Sequence, residues 1–160
     1  MKITVMNHYI DRSEKNFPNK CICFFTNSDA WHTSLILGKV RYESGHPFGA
    51  SKTFHIPDHQ FVDTFDLDVT EEQFNKMVAY AELKLKENLR YNHYKLIVLA
   101  LCWPTRWIWN KLRWVPFSND FFGMVCSVFV REILLHGDVD LFPNVYKELT
   151  PPKLFAEYKI

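Results

Sequence analysis

A two-residue gap between two strand-like runs constrains the fold of this chain more than any other feature. Residues 33–37 (TSLIL) and 40–44 (VRYES) are separated only by Gly38 and Lys39. Glycine at the first of two loop residues is typical of a type II′ turn, which joins antiparallel strands. The pattern therefore predicts a β-hairpin, and it fixes which residues face each other across that hairpin.

One face of this hairpin is predicted to be apolar. With the turn at 38–39, Leu37 faces Val40 and Leu35 faces Tyr42. Side chains alternate along a strand, so these four residues share one face, which we expect to meet the core.

The other face of the hairpin carries polar residues of the types that take part in catalysis. His32, Ser34 and Glu43 share it, and His32 and Glu43 are diagonal neighbours about 7–8 Å apart at the backbone. A carboxylate there can hold the imidazole in one tautomer and stabilise its protonated form. Paired polar residues are also common on a solvent-exposed sheet face, so the spacing alone fits a surface His–Glu pair as well.

Three further segments have the composition of strands. Residues 21–26 (CICFFT) are typical of a short buried strand, with Cys21 and Cys23 on one face, that ends at the turn-prone 27–29. Two more β-like pieces follow around 52–56 and 61–67. Together with the hairpin, these segments predict an antiparallel sheet.

Two helices are predicted to pack against this sheet. Residues 70–73 (TEEQ) form a capping-box pattern, in which the hydroxyl and the glutamine side chain each satisfy a free backbone donor. A second helix is expected from Val125 to Leu135, ending near Gly137 as its C′ residue. Pro151-Pro152 then breaks the chain before a short C-terminal piece. The sum is an α+β fold with a single domain, residues 1–160.

Length and composition exclude several classes of protein. The chain has 160 residues, of which 48% are hydrophobic, and 19 basic residues against 18 acidic ones give a net charge of +1. A nucleic-acid-binding protein would show a clear basic surplus, so no nucleic-acid partner is expected. The longest apolar run, 96–103, is too short to span a membrane, and the N-terminus has no secretory signal, so a cytoplasmic location is expected.

Cys126 is the second candidate for chemistry. It precedes an amphipathic run, 127–135, and a cysteine in the first turn of a helix gains thiolate character from the helix dipole. Free cysteine is also among the most buried residue types. The best capping residues nearby, 118–120, would place Cys126 well inside the helix. Taken alone, Cys126 therefore fits a core residue as well as a nucleophile.

Several motifs, in this order, resemble one protein family. His32 is followed by Glu43 eleven residues later and by a helix-opening Cys-Ser-x-x-Val at Cys126. The segments that carry the resemblance are 31–37 (WHTSLIL), 40–44 (VRYES), 90–94 (RYNHY), 125–130 (VCSVFV) and 149–154 (LTPPKL). They are similar to the circularly permuted NlpC-type, papain-like hydrolases, which are related to lecithin–retinol acyltransferase and have bacterial and viral members.

The resemblance implies a permuted papain-like fold and a Cys-His-Glu triad. Cys126 would be the nucleophile of a thiol hydrolase or acyltransferase, His32 its general base and acid, and Glu43 the residue that orients His32. Cleavage of an amide, ester or thioester bond would follow, as in thiol proteases, with no cofactor. Ser34 stands where the family often has Gly, and Val128 stands where it often has Glu.

A tryptophan-rich segment, 96–117, forms an insertion before the nucleophile helix. Trp103, Trp107, Trp109 and Trp114 are interleaved there with Arg106, Lys111 and Arg113. This composition fits a peripheral membrane or lipid contact, a protein–protein hot spot or an aromatic subdomain over the core. It also suits an apolar acyl group in the substrate. The residues expected to contact substrate are Trp31, Tyr91, Trp103 and Trp107.

A third constellation has the residue types of a metal site. His55, Asp58 and His59 lie within the five residues 55–59, but no further ligand with a defined partner is evident. A zinc site needs three or four protein ligands, so no metal is expected.

Overall fold

The structure, a computed structural model, describes most of the chain. The ranges are 1–10, 17–45, 49–54, 62–88, 90–91, 105, 108, 111–112, 125–146 and 150–158. The predictions made for the four tryptophans of 96–117 and for the histidines of 55–59 lie outside the described residues.

Within the described residues, five strands form one antiparallel sheet, which confirms the α+β class. The strands are β1 (Lys2–Tyr9), β2 (Ala30–Leu37), β3 (Val40–Gly45), β4 (Gly49–Thr53) and β5 (Val62–Asp68), and their order in the sheet is β4-β3-β2-β1-β5. The helices in this part of the chain are α1 (Phe17–Thr26), α2 (Glu71–Lys86), α3 (Cys126–His136) and α4 (Pro152–Ala156).

The predicted hairpin is confirmed as β2 and β3. Leu37 pairs with Val40 and Leu35 with Tyr42, and Gly38 has a φ of 65°. That backbone conformation favours glycine because it has no Cβ. Leu35 and Tyr42 are buried in the main core, as the alternation predicts.

Both predicted helices are confirmed, with a difference at one end. In α2 the Thr70 hydroxyl accepts a hydrogen bond from the Gln73 backbone, and the Gln73 side chain accepts one from the Thr70 backbone. In α3 the left-handed residue after the helix is Asp138, with a φ of 58°, whereas Gly137 is the C-cap with a φ of −87°. Gly137 is therefore not required for its conformational freedom.

The segment 21–26 is helical, so its prediction as a buried strand is wrong. It forms the second half of α1, and the helix ends before Asn27, whose φ of 50° is left-handed. A short apolar run does not distinguish a buried strand from a buried helix, and this run is helical. Pro18 lies in the first turn, where a residue without a backbone N–H is tolerated. The turn at 27–29 was predicted at the correct place.

The core lies between one face of the sheet and the helices α2, α3 and α4. Phe129 and Ile133 of α3 are fully buried there, beside Leu35 of β2 and Met77 of α2. Because α3 buries this apolar face against the sheet, packing fixes where its first residue lies. The position of Cys126 is thus set by the core.

We expect Gly137→Ala to lower the free energy of unfolding by about 1–3 kcal/mol. A Cβ at Gly137 would lie 2.6 Å from Met77 Cγ, closer still to Met77 Cε, and 3.1 Å from the Gln73 carbonyl oxygen, so the buried Met77 side chain would have to move and α2 would have to shift slightly. Gly45→Ala is the matched control, since a Cβ there meets nothing within 4 Å. Urea denaturation measures both variants, and equal losses would contradict the close approach of the two helices.

Candidate active site

Cys126 is the first residue of α3. Val125 precedes it in an extended conformation, with φ −89° and ψ 157°, and makes no side-chain cap. The thiol is buried, with Cys126 2% exposed, and the backbone N–H groups of Thr33 and Ser127 donate hydrogen bonds to its sulfur. This placement at the helix start, beside polar donors, favours the thiolate form of Cys126, whereas a cysteine in a purely apolar core would stay a thiol.

His32 on β2 joins Cys126 to Glu43. Its Nε2 donates a hydrogen bond to Glu43 Oε2 at 3.0 Å, and its ring is also hydrogen-bonded to the Cys126 side chain. Because Nε2 is committed to the carboxylate, the nitrogen that remains for the sulfur is Nδ1. The diagonal His–Glu contact predicted from the hairpin register is confirmed, and it is not a solvent-exposed pair, since His32 is 6% exposed.

Glu43 is itself held in place from β3. Its second oxygen, Oε1, accepts a hydrogen bond from Arg41 Nη2 at 2.8 Å. Burial alone would raise the pKa of this carboxyl, but the hydrogen bond and charge of His32, followed by those of Arg41, lower it to about 2. Glu43 is therefore ionised at every pH at which the protein is expected to work.

The charges of Cys126 and His32 stabilise each other. Burial lowers the pKa of His32, but the Cys126 charge and the hydrogen bonds to Cys126 and Glu43 outweigh it and raise that pKa to about 9. Burial raises the pKa of the Cys126 thiol, but the charge and hydrogen bond of His32 and the two backbone donors hold it below its ordinary value. Each charge of the thiolate–imidazolium pair therefore stabilises the other.

A shift in strand register turns two neighbouring side chains of β2 toward one another. His8 of β1 pairs with His32, but the next residue, Tyr9, pairs with Ala30, so Trp31 has no partner on β1. Consecutive side chains of a regular strand point to opposite faces, whereas a bulge re-aims them. The rings of Trp31 and His32 consequently lie 5.2 Å apart, centroid to centroid.

Two of the four predicted substrate contacts lie at this site. Trp31 is half-buried beside His32. Tyr91 lies near the sulfur: burial raises the pKa of its hydroxyl, and the negative charge of Cys126 raises it further. Trp103 and Trp107 lie outside the described residues. The structure therefore brings Trp31 and Tyr91 together with Cys126, His32 and Glu43.

Three further residues lie at this site and were not predicted from the sequence. Arg41 positions Glu43, the Thr33 backbone contacts the sulfur, and His8 lies against His32 with ring centroids 5.0 Å apart. His8 could not be found because strand β1 was not predicted. Arg41 carried a usable signal, since residues two apart on a strand share a face, and this one shares the face of Glu43.

The two positions that depart from the family pattern are both buried. Ser34 is fully buried, and its Oγ lies 3.3 Å from His8 Nε2. Val128 is fully buried as well, in the second position after Cys126 on α3.

The described residues show neither a metal cluster nor a membrane span. No three His, Cys, Asp or Glu side chains among them are grouped as a metal ion requires. No helix in the same part of the chain is long and apolar enough to cross a membrane.

The chain matches no protein-family model, and comparisons with curated proteins and with solved structures likewise return no match.

Proposed function

We propose that this chain is a cysteine-dependent hydrolase or acyltransferase with a permuted papain-like fold. The observation that carries the proposal is the hydrogen-bonded series Cys126–His32–Glu43, with the thiol at the start of a helix. Nucleophile, base and orienting group touch in that order, which is the general arrangement for nucleophilic catalysis. The order of strand, strand and helix that carries the three residues is also the order in the resembling family.

Each residue has a definite step in acyl transfer. The Cys126 thiolate attacks the acyl carbon, and the His32 imidazolium gives its proton to the departing amine, alkoxide or thiolate, which leaves a thioester on the sulfur. His32 then removes a proton from water, or from an acceptor, as that molecule attacks the thioester and releases Cys126. Glu43 holds the ring in one orientation and stabilises its positive charge.

The helix start offers a donor for the developing oxyanion. The first N–H groups of a helix have no partner within the helix, and Cys126 is the first residue of α3. Its backbone N–H lies on the nucleophile itself, where a tetrahedral intermediate would form. A donor at that position stabilises the oxyanion that develops in the transition state.

The first test compares the thiols of Cys126 and Cys23. Burial and the nearby Asp29 raise the pKa of Cys23 to about 11, whereas that of Cys126 is lowered. We expect iodoacetamide, a small reagent suited to a buried thiol, to alkylate Cys126 at least about tenfold faster at pH 6, followed by peptide mass spectrometry. Equal rates at the two cysteines would favour a catalytically inactive, papain-like binding module.

Turnover is tested with a series of p-nitrophenyl esters of increasing acyl length. Cys126→Ser is expected to remove the hydrolysis, whereas Cys23→Ser, the matched control, keeps it. Hydrolysis that persists in Cys126→Ser would overturn the proposal.

The rate kcat/KM for an alkyl ester, whose alkoxide must be protonated as it leaves, should have a bell-shaped dependence on pH. His32 must be protonated to donate to the leaving group, so the rate should fall as pH rises through about 9. Cys126 must be ionised, so the rate should also fall in acid, below the ordinary range of a thiol pKa. Rates that rise steadily up to pH 10 would show that an ordinary thiol is the nucleophile.

A further inference from the structure

His8 lies against the proposed general base, and the mechanism above gives it no step. It pairs with His32 directly across strands β1 and β2, and the two rings lie 5.0 Å apart with an interplanar angle of 57°. The Trp31 ring is 6.1 Å from His8 and 5.2 Å from His32. The rings of His8 and Trp31 therefore form one cluster with the imidazole of His32.

The position of His8 is fixed from two directions. Its Nε2 lies 3.3 Å from Oγ of Ser34, which is fully buried on β2. The register of β1 against β2 shifts immediately after His8, and bulges of this kind aim side chains next to functional sites. His8 is thus anchored to the strand that carries His32.

We propose that His8 is a positioning residue for His32. Its ring packs against the imidazole and limits its rotation, so that Nε2 stays on Glu43 while Nδ1 faces Cys126. This inference rests on the proposed function, because it concerns the same thiolate–imidazolium pair. A smaller side chain at position 8 opens space beside His32, and the weaker pair then leaves the Cys126 thiol with a higher pKa.

The charged groups that face His32 stay in place in such a variant. They are Glu43, held by Arg41 from β3, and Cys126 from α3. On the other side of β1, Asp63 of β5 pairs with Asn7, next to His8. Replacing His8 therefore tests the packing of its ring while these charges are kept.

The experiment measures the rate of Cys126 alkylation by iodoacetamide against pH. In His8→Ala we expect the midpoint of the curve to rise by about one pH unit and the rate at pH 6 to fall about three- to tenfold. His8→Phe, which restores a ring, should recover most of that rate. His136→Ala is the matched control, since His136 is the last residue of α3 and stacks on Tyr80, 3.6 Å away.

Each outcome decides the role of His8. A His8→Ala curve that coincides with the wild-type curve overturns it, and so does a His8→Phe protein that reacts as slowly as His8→Ala. If His8→Ala does not fold, His8→Asn replaces it, because Asn keeps a polar group for Ser34 but lacks the ring. Slow alkylation of Cys126 in the wild type would remove the proposed function and this inference together, whereas fast alkylation in all variants removes only the role of His8.

Discussion

Replacing His32 by alanine is expected to slow the alkylation of Cys126 at pH 6 by roughly 10–100-fold. Burial raises the pKa of this thiol, and the positive charge and hydrogen bond of His32 are the largest effects that lower it. Without them, the backbone donors of Thr33 and Ser127 and the position at the helix start remain to favour the thiolate. The higher pKa leaves less thiolate, although the remaining thiolate is somewhat more nucleophilic, which limits the loss.

The measurement is the pH dependence of the alkylation rate, followed at Cys126 and Cys23 in the same sample. In His32→Ala the midpoint for Cys126 should move toward that of an ordinary thiol, while the rate at Cys23 stays as in the wild type. His136→Ala, which changes a histidine at the far end of the same helix, should react as the wild type does. A Cys126 that keeps its rate in His32→Ala would separate its reactivity from the proposed triad.

Local patterns predicted the parts of the fold that depend on neighbouring residues. The turn at Gly38 fixed the pairing of β2 with β3, and the capping box at Thr70 fixed the start of α2. Both depend on hydrogen bonds and side-chain alternation within a few residues. The hairpin and the start of α2 could therefore be predicted without knowing how the rest of the chain packs.

Strand β1 was not predicted from the sequence, although its first four residues alternate in burial: Ile3 and Val5 are buried, whereas Lys2 is exposed and Thr4 half-buried. It lies between β2 and β5, and the successive residues Val5, Met6 and Asn7 are all buried. The second half of β1 is covered on both faces, and so it loses the alternation that identifies a half-buried strand and leaves only a short signal in the first half. Missing β1 also meant missing His8, because its contact with His32 depends on long-range pairing.

The candidate site was predictable only where it depends on local strand pairing. The hairpin register alone placed Glu43 beside His32. The position of Cys126 at the first turn of α3 was not fixed locally, since Val125 is a poor cap and 118–120 offered better ones. The packing of Phe129 and Ile133 against the sheet places α3, and with it the thiol.

Changing Glu43 to glutamine should lower kcat for ester hydrolysis by roughly 10²–10⁴-fold. Both oxygens of Glu43 accept a hydrogen bond, one from His32 and one from Arg41. An amide has one acceptor and one donor group, so it can satisfy only one of these two donors. Loss of the negative charge also lowers the pKa of His32 from about 9, because Glu43 helps to raise it. The alkaline limb of the pH profile should therefore move to lower pH.

Glu82→Gln provides a control with the same substitution at another hydrogen-bonded glutamate. Glu82 also accepts hydrogen bonds from two donors, Tyr42 and Lys52, so Glu82→Gln likewise removes a negative charge that two donors contact. Tyr42 lies on the core face of β3, opposite to the face that carries Glu43, and neither Glu82 nor its two donors belong to the hydrogen-bonded series Cys126–His32–Glu43. If both glutamine variants lose stability alike but only Glu43→Gln loses turnover and shifts the alkaline limb, the carboxylate acts through His32. Equal losses of turnover in the two variants would instead mean that Glu43 serves only to hold the sheet together.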